Sequence, residues 1–169
     1  MFKHLTIMIK YFTILGMALI FLSCSSGEKT SMDTSNVVVA SGPLYDGVNT
    51  ATGTLEIDVF LPENTQKNQI QNATVLSVTL DTQGKEIPNI QSLTLLMTSS
   101  SIPMQKIAFA ENVVWKEGKL ELKIAAEQEK LNEIIQDKSA TIVIDFDLKE
   151  EWEEDLEFKC TINWEITVK

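Results

Sequence analysis

The chain has 169 residues, with 24 acidic residues against 14 basic ones, and a formal net charge of −10. Every basic residue is a lysine. A surface this acidic, lacking the guanidinium fork that grips phosphate in bidentate fashion, excludes nucleic acid as a partner.

The first predicted element is a leader. Lys3 and Lys10 are its only formal charges, and Tyr11 to Cys24 runs fourteen residues without one. A helix needs roughly 20 residues to cross about 30 Å of hydrocarbon, so the run is too short to span. A basic start, a short apolar stretch and small residues at its end make a secretory signal. Met1 and Met8 are alternative starts; Met8 gives the tighter signal MIKYFTILGMALIFLSC. The segment Phe21-Leu22-Ser23-Cys24 resembles the lipobox of bacterial lipoproteins. Ser23 fits that pattern, while Phe21 and Leu22 stand where leucine and a small residue are commoner.

The resemblance implies that residues 1–23 are removed and that Cys24 becomes the mature N-terminus. Its thiol would carry a diacylglycerol and its amine usually a third acyl chain. A buried methylene is worth roughly 0.8 kcal/mol, so one chain holds reversibly and two or three hold durably. The partner implied is a membrane, reached through the lipid anchor. Ser25 resembles the outer-membrane class of such proteins where the host has two membranes. An uncleaved helical anchor over residues 5–24, or a plain signal cut elsewhere, are the alternatives. Each places the body outside the cytoplasm.

Removing the leader takes away Lys3, Lys10 and the only histidine, His4, and leaves 12 lysines against 24 acids. Without imidazole there is no Ser-His-Asp or Cys-His machinery. Cys160 is then the only thiol besides Cys24, so no disulfide is expected within the mature chain. It falls on the apolar face of an alternating strand, where cysteine behaves as a small hydrophobe. No cofactor and no metal ligand set is expected.

Residues 24–36, the lipidated cysteine followed by SSGEKTSMDTSN, are expected to form a flexible tether. The folded domain is then 37–169. An opening strand near 37–45 ends at the turn pair Asp46-Gly47. From there the apolar period is two, the mark of half-buried antiparallel strands. In 54–61 Leu55, Ile57, Val59 and Leu61 share one face. Leu76, Val78 and Leu80 share another, as do Leu93, Leu95 and Met97. Ile107 and Phe109 form a fourth set, and Leu120, Leu122 and Ile124 a fifth.

The spacing of Leu131, Ile134 and Ile135 predicts one short helix over 127–137. Residues 140–148 place Ile142, Ile144 and Phe146 inward. The last strand, 156–168, aligns Leu156, Phe158, Cys160, Ile162, Trp164, Ile166 and Val168. These two strands are expected to pair as a hairpin across KEEWEED.

About eight strands bury their faces by stacking two sheets or by closing a barrel. The expectation is an all-β, antiparallel β-sandwich with immunoglobulin-like or related Greek-key topology. Within 70–168, NIQSLTLLM followed by MQKIAFA resembles small β-sandwich domains of flavobacterial-type envelope lipoproteins. That resemblance implies no activity.

The candidate site residues crowd the expected hairpin: Asp145, Asp147, Glu150, Trp152, Glu154 and Asp155. Calcium takes six to eight oxygens, which such a cluster could supply. The loop lacks the EF-hand order and its glycine, so a solvated acidic tip offering Trp152 as a contact point is the alternative. Trp115, Trp152 and Trp164 would stack on sugars if exposed together. The reading is a lipid-anchored, non-catalytic domain that binds an unknown protein or glycan or gives structural support. The alternative is a carrier of an apolar ligand inside a β-barrel-like domain. A carboxylate-based hydrolase would need two acids converging in a concave site.

Overall fold

The computed structural model describes residues 27–61, 65–128 and 130–169. The leader, Cys24 and the lipobox resemblance lie outside the described residues. Eight strands follow in order: β1 (Glu28–Ala40), β2 (Gly47–Glu56), β3 (Ile70–Asp81), β4 (Ile90–Ser99), β5 (Gln105–Glu111), β6 (Lys119–Ile124), β7 (Ser139–Leu148) and β8 (Leu156–Val168). Two short helices interrupt them, α1 (Ile57–Phe60) and α2 (Leu131–Gln136), with a 3-10 turn at Lys67–Gln69.

The strands close into a barrel in the order β1-β2-β7-β4-β5-β6-β3-β8. All pairings are antiparallel. β1 lies against β8, β2 against β7, β3 against β6 and β4 against β5, the nested connectivity of a jelly roll. The immunoglobulin-like sandwich is therefore corrected: the ladder runs around a ring. It is continuous within β1-β8-β3-β6 and within β2-β7-β4-β5. These quartets join at two thin seams. One is a single register pair, Val39 with Thr52. The other is Ala108 with Ile124 and Phe109 with Lys123.

Alternation dictated most inward positions. Trp164, Phe146, Phe158, Leu80, Leu93, Leu95 and Met97 are all buried and fill the barrel. Cys160 is buried among them, as expected. The Trp164 indole N–H donates to Thr34 Oγ at 3.1 Å, and Thr34 Oγ donates in turn to the Ile162 carbonyl at 3.4 Å. A buried indole thus keeps its hydrogen bond, which matters because an orphaned donor costs about 1–3 kcal/mol.

Two bulges break the parity that the sequence suggested. The first lies between Val75 and Ser77 in the β3–β8 ladder. It turns Leu76 outward, 49% exposed, and puts Val75 inside with Val78 and Leu80. The Gln128 side chain holds the bulge, accepting from Val75 N–H at 2.7 Å and donating to Val75 O at 3.1 Å. The second makes Ile107 the extra residue between Lys106 and Ala108, opposite Leu96 and Leu95. Ile107 and Ala108 both point inward, and Phe109 is thrown to the outer face.

Further expectations are corrected at the edges of elements. β2 ends at Glu56, and 57–60 form α1 instead of continuing the strand, which leaves Val59 82% exposed. Glu28–Asn36, read as tether, extend β1 and pair with β8 from Val168 to Cys160. Their polar side chains misled because they lie on a strand with few inward apolar residues. The predicted helix is real but short, and it buries Leu131, Ile134 and Ile135 as its spacing required.

The expected β7–β8 hairpin does not form. β7 sits between β2 and β4, and β8 between β1 and β3. Residues 149–155 therefore cross from one quartet to the other as a strap. Alternation cannot distinguish a hairpin from such a crossing, because both need only two amphipathic strands.

The register defines two ends. At the strap end, Leu44, Ile87, Val113, Trp115 and Trp152 close the barrel. At the helical end, Ile57, Ile102, Leu131, Ile134 and Ile135 do so.

Candidate functional site

The predicted acidic cluster is not assembled. Asp145 lies on the outer face of β7 and accepts from Thr50 Oγ at 2.7 Å. Asp147 is two residues further along the same strand, opposite Val48 and Ser92. Asp155 accepts from the Gly42 amide at 2.9 Å. Glu150 and Glu154 are exposed on the strap. Among the described residues, no three His, Cys, Asp or Glu side chains are grouped to hold a metal ion.

The strap is pinned along its length. Leu44 N–H donates to Trp152 O at 2.8 Å and Trp152 N–H to Leu44 O at 3.0 Å. A Cβ on Gly42 would meet the Glu153 and Glu154 carbonyl oxygens at 2.7 Å, so glycine lets the two loops touch. Trp152 is half-buried by this contact, and Trp115 stacks on Phe158 with centroids 5.9 Å apart. With Trp164 in the core, the three tryptophans form no shared exposed platform.

Cys160 is chemically quiet. Burial pushes its thiol up to about 12, because a thiolate would lose its water there. Asp137, at the helical end, behaves oppositely. The Ser99 hydroxyl, the hydroxyl and amide of Ser101 and the Ser100 hydroxyl hold its carboxyl below the usual value of 3.8. Ser101 makes the defined contacts, donating its amide at 3.1 Å and its hydroxyl at 3.0 Å. Ser99 Oγ, buried beside them, makes no bond of hydrogen-bonding geometry and acts on the carboxyl by proximity alone.

The site that emerges is a cleft at the β5–β6 seam. The two strands pair at Phe109 and Lys123 and then part. They meet again only at Lys116 and Lys119, whose backbones exchange two 2.9 Å hydrogen bonds. Glu117 (φ 51°) and Gly118 (φ 75°) turn the chain between them, the paired positive φ values of a type I′ turn. Residues 110–115 on one side face only 120–122 on the other, so the longer side must arch. Asn112, at φ 55°, bends that arch.

Beneath the arch lies a cleft of about 510 Å³, lined by Phe109, Val113, Val114, Lys116, Lys119 and Lys123, with Glu111 and Glu121 at its walls. Phe109 is the floor that the β5 bulge turned outward. Lys106 Nζ stands 4.1 Å from its ring centroid and Lys123 Nζ 5.4 Å. Each such cation–π contact is worth about 0.5–1 kcal/mol at an exposed site, enough to bias where the ammonium rests. Three ion pairs occur among the described residues, Lys29–Glu165, Lys67–Asp58 and Lys85–Glu157. Lys106, Lys116, Lys119 and Lys123 are in none of them. A local group of unpaired ammonium ions on an acidic body attracts anions.

The alternation of Leu120, Leu122 and Ile124 leaves Lys119 and Lys123 on the outer face of β6, but nothing in that pattern singles them out. The usable signal was Lys116-Glu117-Gly118-Lys119, a two-residue turn bracketed by lysines. Phe109 carried no such signal, since its parity depends on the bulge.

No family model matches the chain, and no curated protein and no solved structure matches it either.

Proposed function

We propose that the chain is a lipid-anchored, non-catalytic binding domain of the bacterial envelope, engaging anionic groups through the β5–β6 cleft. The carrying observation is four lysines without ion pairs gathered about a concave site on a body of opposite charge. A filled interior supports the same reading, since it makes the outer surface the place for recognition. The ligand chemistry is carboxylate or sulfate presented by an extended molecule. Glu111 and Glu121 at the walls select against a ligand of uniformly dense charge.

Titration calorimetry with an acidic peptide, an acidic oligosaccharide and their neutral counterparts tests this reading. Binding to one acidic ligand is expected to weaken as salt rises, because the Debye length falls to about 8 Å at 0.15 M. Replacing Lys119 and Lys123 together by alanine is expected to weaken it about tenfold, or 1.4 kcal/mol. Equal binding of neutral and acidic ligands, or no change in the double variant, overturns it.

The closed ring favours a second reading, a carrier for an apolar ligand within the barrel. Such a ligand would have to displace Trp164, Phe146 or Phe158 from the interior. Saturable uptake of an apolar dye by the delipidated domain would establish this reading over the first.

A further inference from the structure

The distance along the chain from Cys24 to the first strand fixes how an acylated domain would sit. β1 begins at Glu28, paired with Val168 at the helical end of the barrel. Four residue steps separate Cys24 from Glu28, at most about 14 Å of extended chain. With its expected tether folded into β1, the domain cannot float free of its anchor. An acyl group at Cys24 would hold the helical end against the bilayer.

That end offers apolar side chains for the contact. Val59, on α1, is 82% exposed, and Met104, in the β4–β5 connection, is 51% exposed. Both connections leave strands that end beside the start of β7: Glu56 pairs with Ser139 and Ser99 with Ala140. Single exposed apolar residues are ordinary on a protein surface. The strap end has exposed apolar side chains as well, Tyr45, Val48 and Val114; Val59 and Met104 are singled out because the anchor would be tied at their end. Lys67, Lys130, Lys138 and Lys169 stand at this end beside Asp58, Glu133 and Asp137, so it is less one-sidedly acidic than the strap.

The opposite end is strongly acidic. The strap bears Glu150, Glu151, Glu153, Glu154 and Asp155 against Lys149 alone. Leu156 and Val168 bound β8, so the strap stands about 40 Å along that strand from the helical end, at roughly 3.3 Å per residue. That is several Debye lengths, so its charge does not oppose contact at the far end.

We infer that the helical end docks on the membrane surface, with Val59 and Met104 entering the interfacial region and the strap pointing away. This rests on acylation of Cys24 as proposed above. It also turns the Lys116–Lys119 end of the cleft toward the medium, where a partner could reach it.

The test uses the full processed chain in phosphatidylcholine vesicles containing brominated lipid. Val59→Cys and Met104→Cys are labelled with an environment-sensitive thiol dye, alongside Tyr45→Cys and Glu151→Cys at the strap end. Cys160 is buried and stays unlabelled in the folded chain. Blue-shifted emission and about twofold or greater quenching at 59 and 104, but not at 45 and 151, is expected for side chains held at the acyl boundary. The N-terminal mass is measured on the same sample. An acyl mass with equal quenching at both ends overturns the docking and leaves the anchor standing. A chain with no acyl mass overturns both.

Discussion

The two seams of the barrel solve one problem in opposite ways. Each joins a strand of one quartet to a strand of the other with almost no ladder. At β1–β2 the chains cross in close contact: a Cβ on Gly53 would lie 2.5 Å from the Val37 carbonyl oxygen. At β5–β6 the chains part around a cleft of about 510 Å³. The sequences differ accordingly. The tight seam uses a residue without a side chain, so backbones can touch. The open seam uses a bulge, a lysine-bracketed turn and an arch. A barrel closed by strands that barely pair is stabilised mainly by its shared core, which frees one seam to open.

The largest expected effect calibrates both seams and damages neither selectively. Trp164→Ala removes a fully buried ring that stacks on Phe60 at 5.8 Å and bonds Thr34. It should cost about 3–5 kcal/mol in urea unfolding, the range for large-to-small core substitutions.

The next effect separates the seams. Gly53→Val forces side-chain atoms into backbone oxygen that cannot swing aside, and should cost about 1–3 kcal/mol. A substitution in the wall of the open cleft, Val114→Ala at a side chain 67% exposed, should change stability by less than about 0.5 kcal/mol. Equal losses from the two would mean that the β5–β6 seam is closed in solution. Lys119→Ala with Lys123→Ala should likewise move stability by less than about 0.5 kcal/mol, since surface substitutions of this kind seldom do more. Its consequence should appear only in anion binding.

The smallest effect is a pH dependence at the helical end. The folded pKa of Asp137 is depressed, so its contribution is present above the unfolded value and is lost as pH falls through the folded one. Wild type should therefore lose stability below about pH 4, where an ordinary aspartate begins to protonate. Asp137→Asn should show a shallower acid slope, measured by thermal melts across that range.

Much of this was legible in the chain. Period-two patterning located β4, β7 and β8 and their inward residues, because a half-buried strand must alternate. Leu131, Ile134 and Ile135 revealed α2 because three apolar side chains at helical spacing must share a face. Cys160 and Trp164 were placed correctly by parity alone. Glu28–Asn36 were missed as a strand because their stabilisation comes from the backbone ladder with β8, which leaves no apolar signature. Phe109 was assigned to the wrong face because one extra residue at Ile107 shifts everything after it.

The sequence by itself determined which segments alternate and that Cys160 and Trp164 face inward, since burial periodicity is a local property. Which strand lies beside which was decided only in three dimensions. The same amphipathic strands would satisfy a hairpin, a sandwich or a ring; closure, the crossing strap and the lysine cleft follow from nested pairing between segments as distant as β1 and β8. That choice depends on how all the inward side chains pack at once, and no single stretch of sequence contains it.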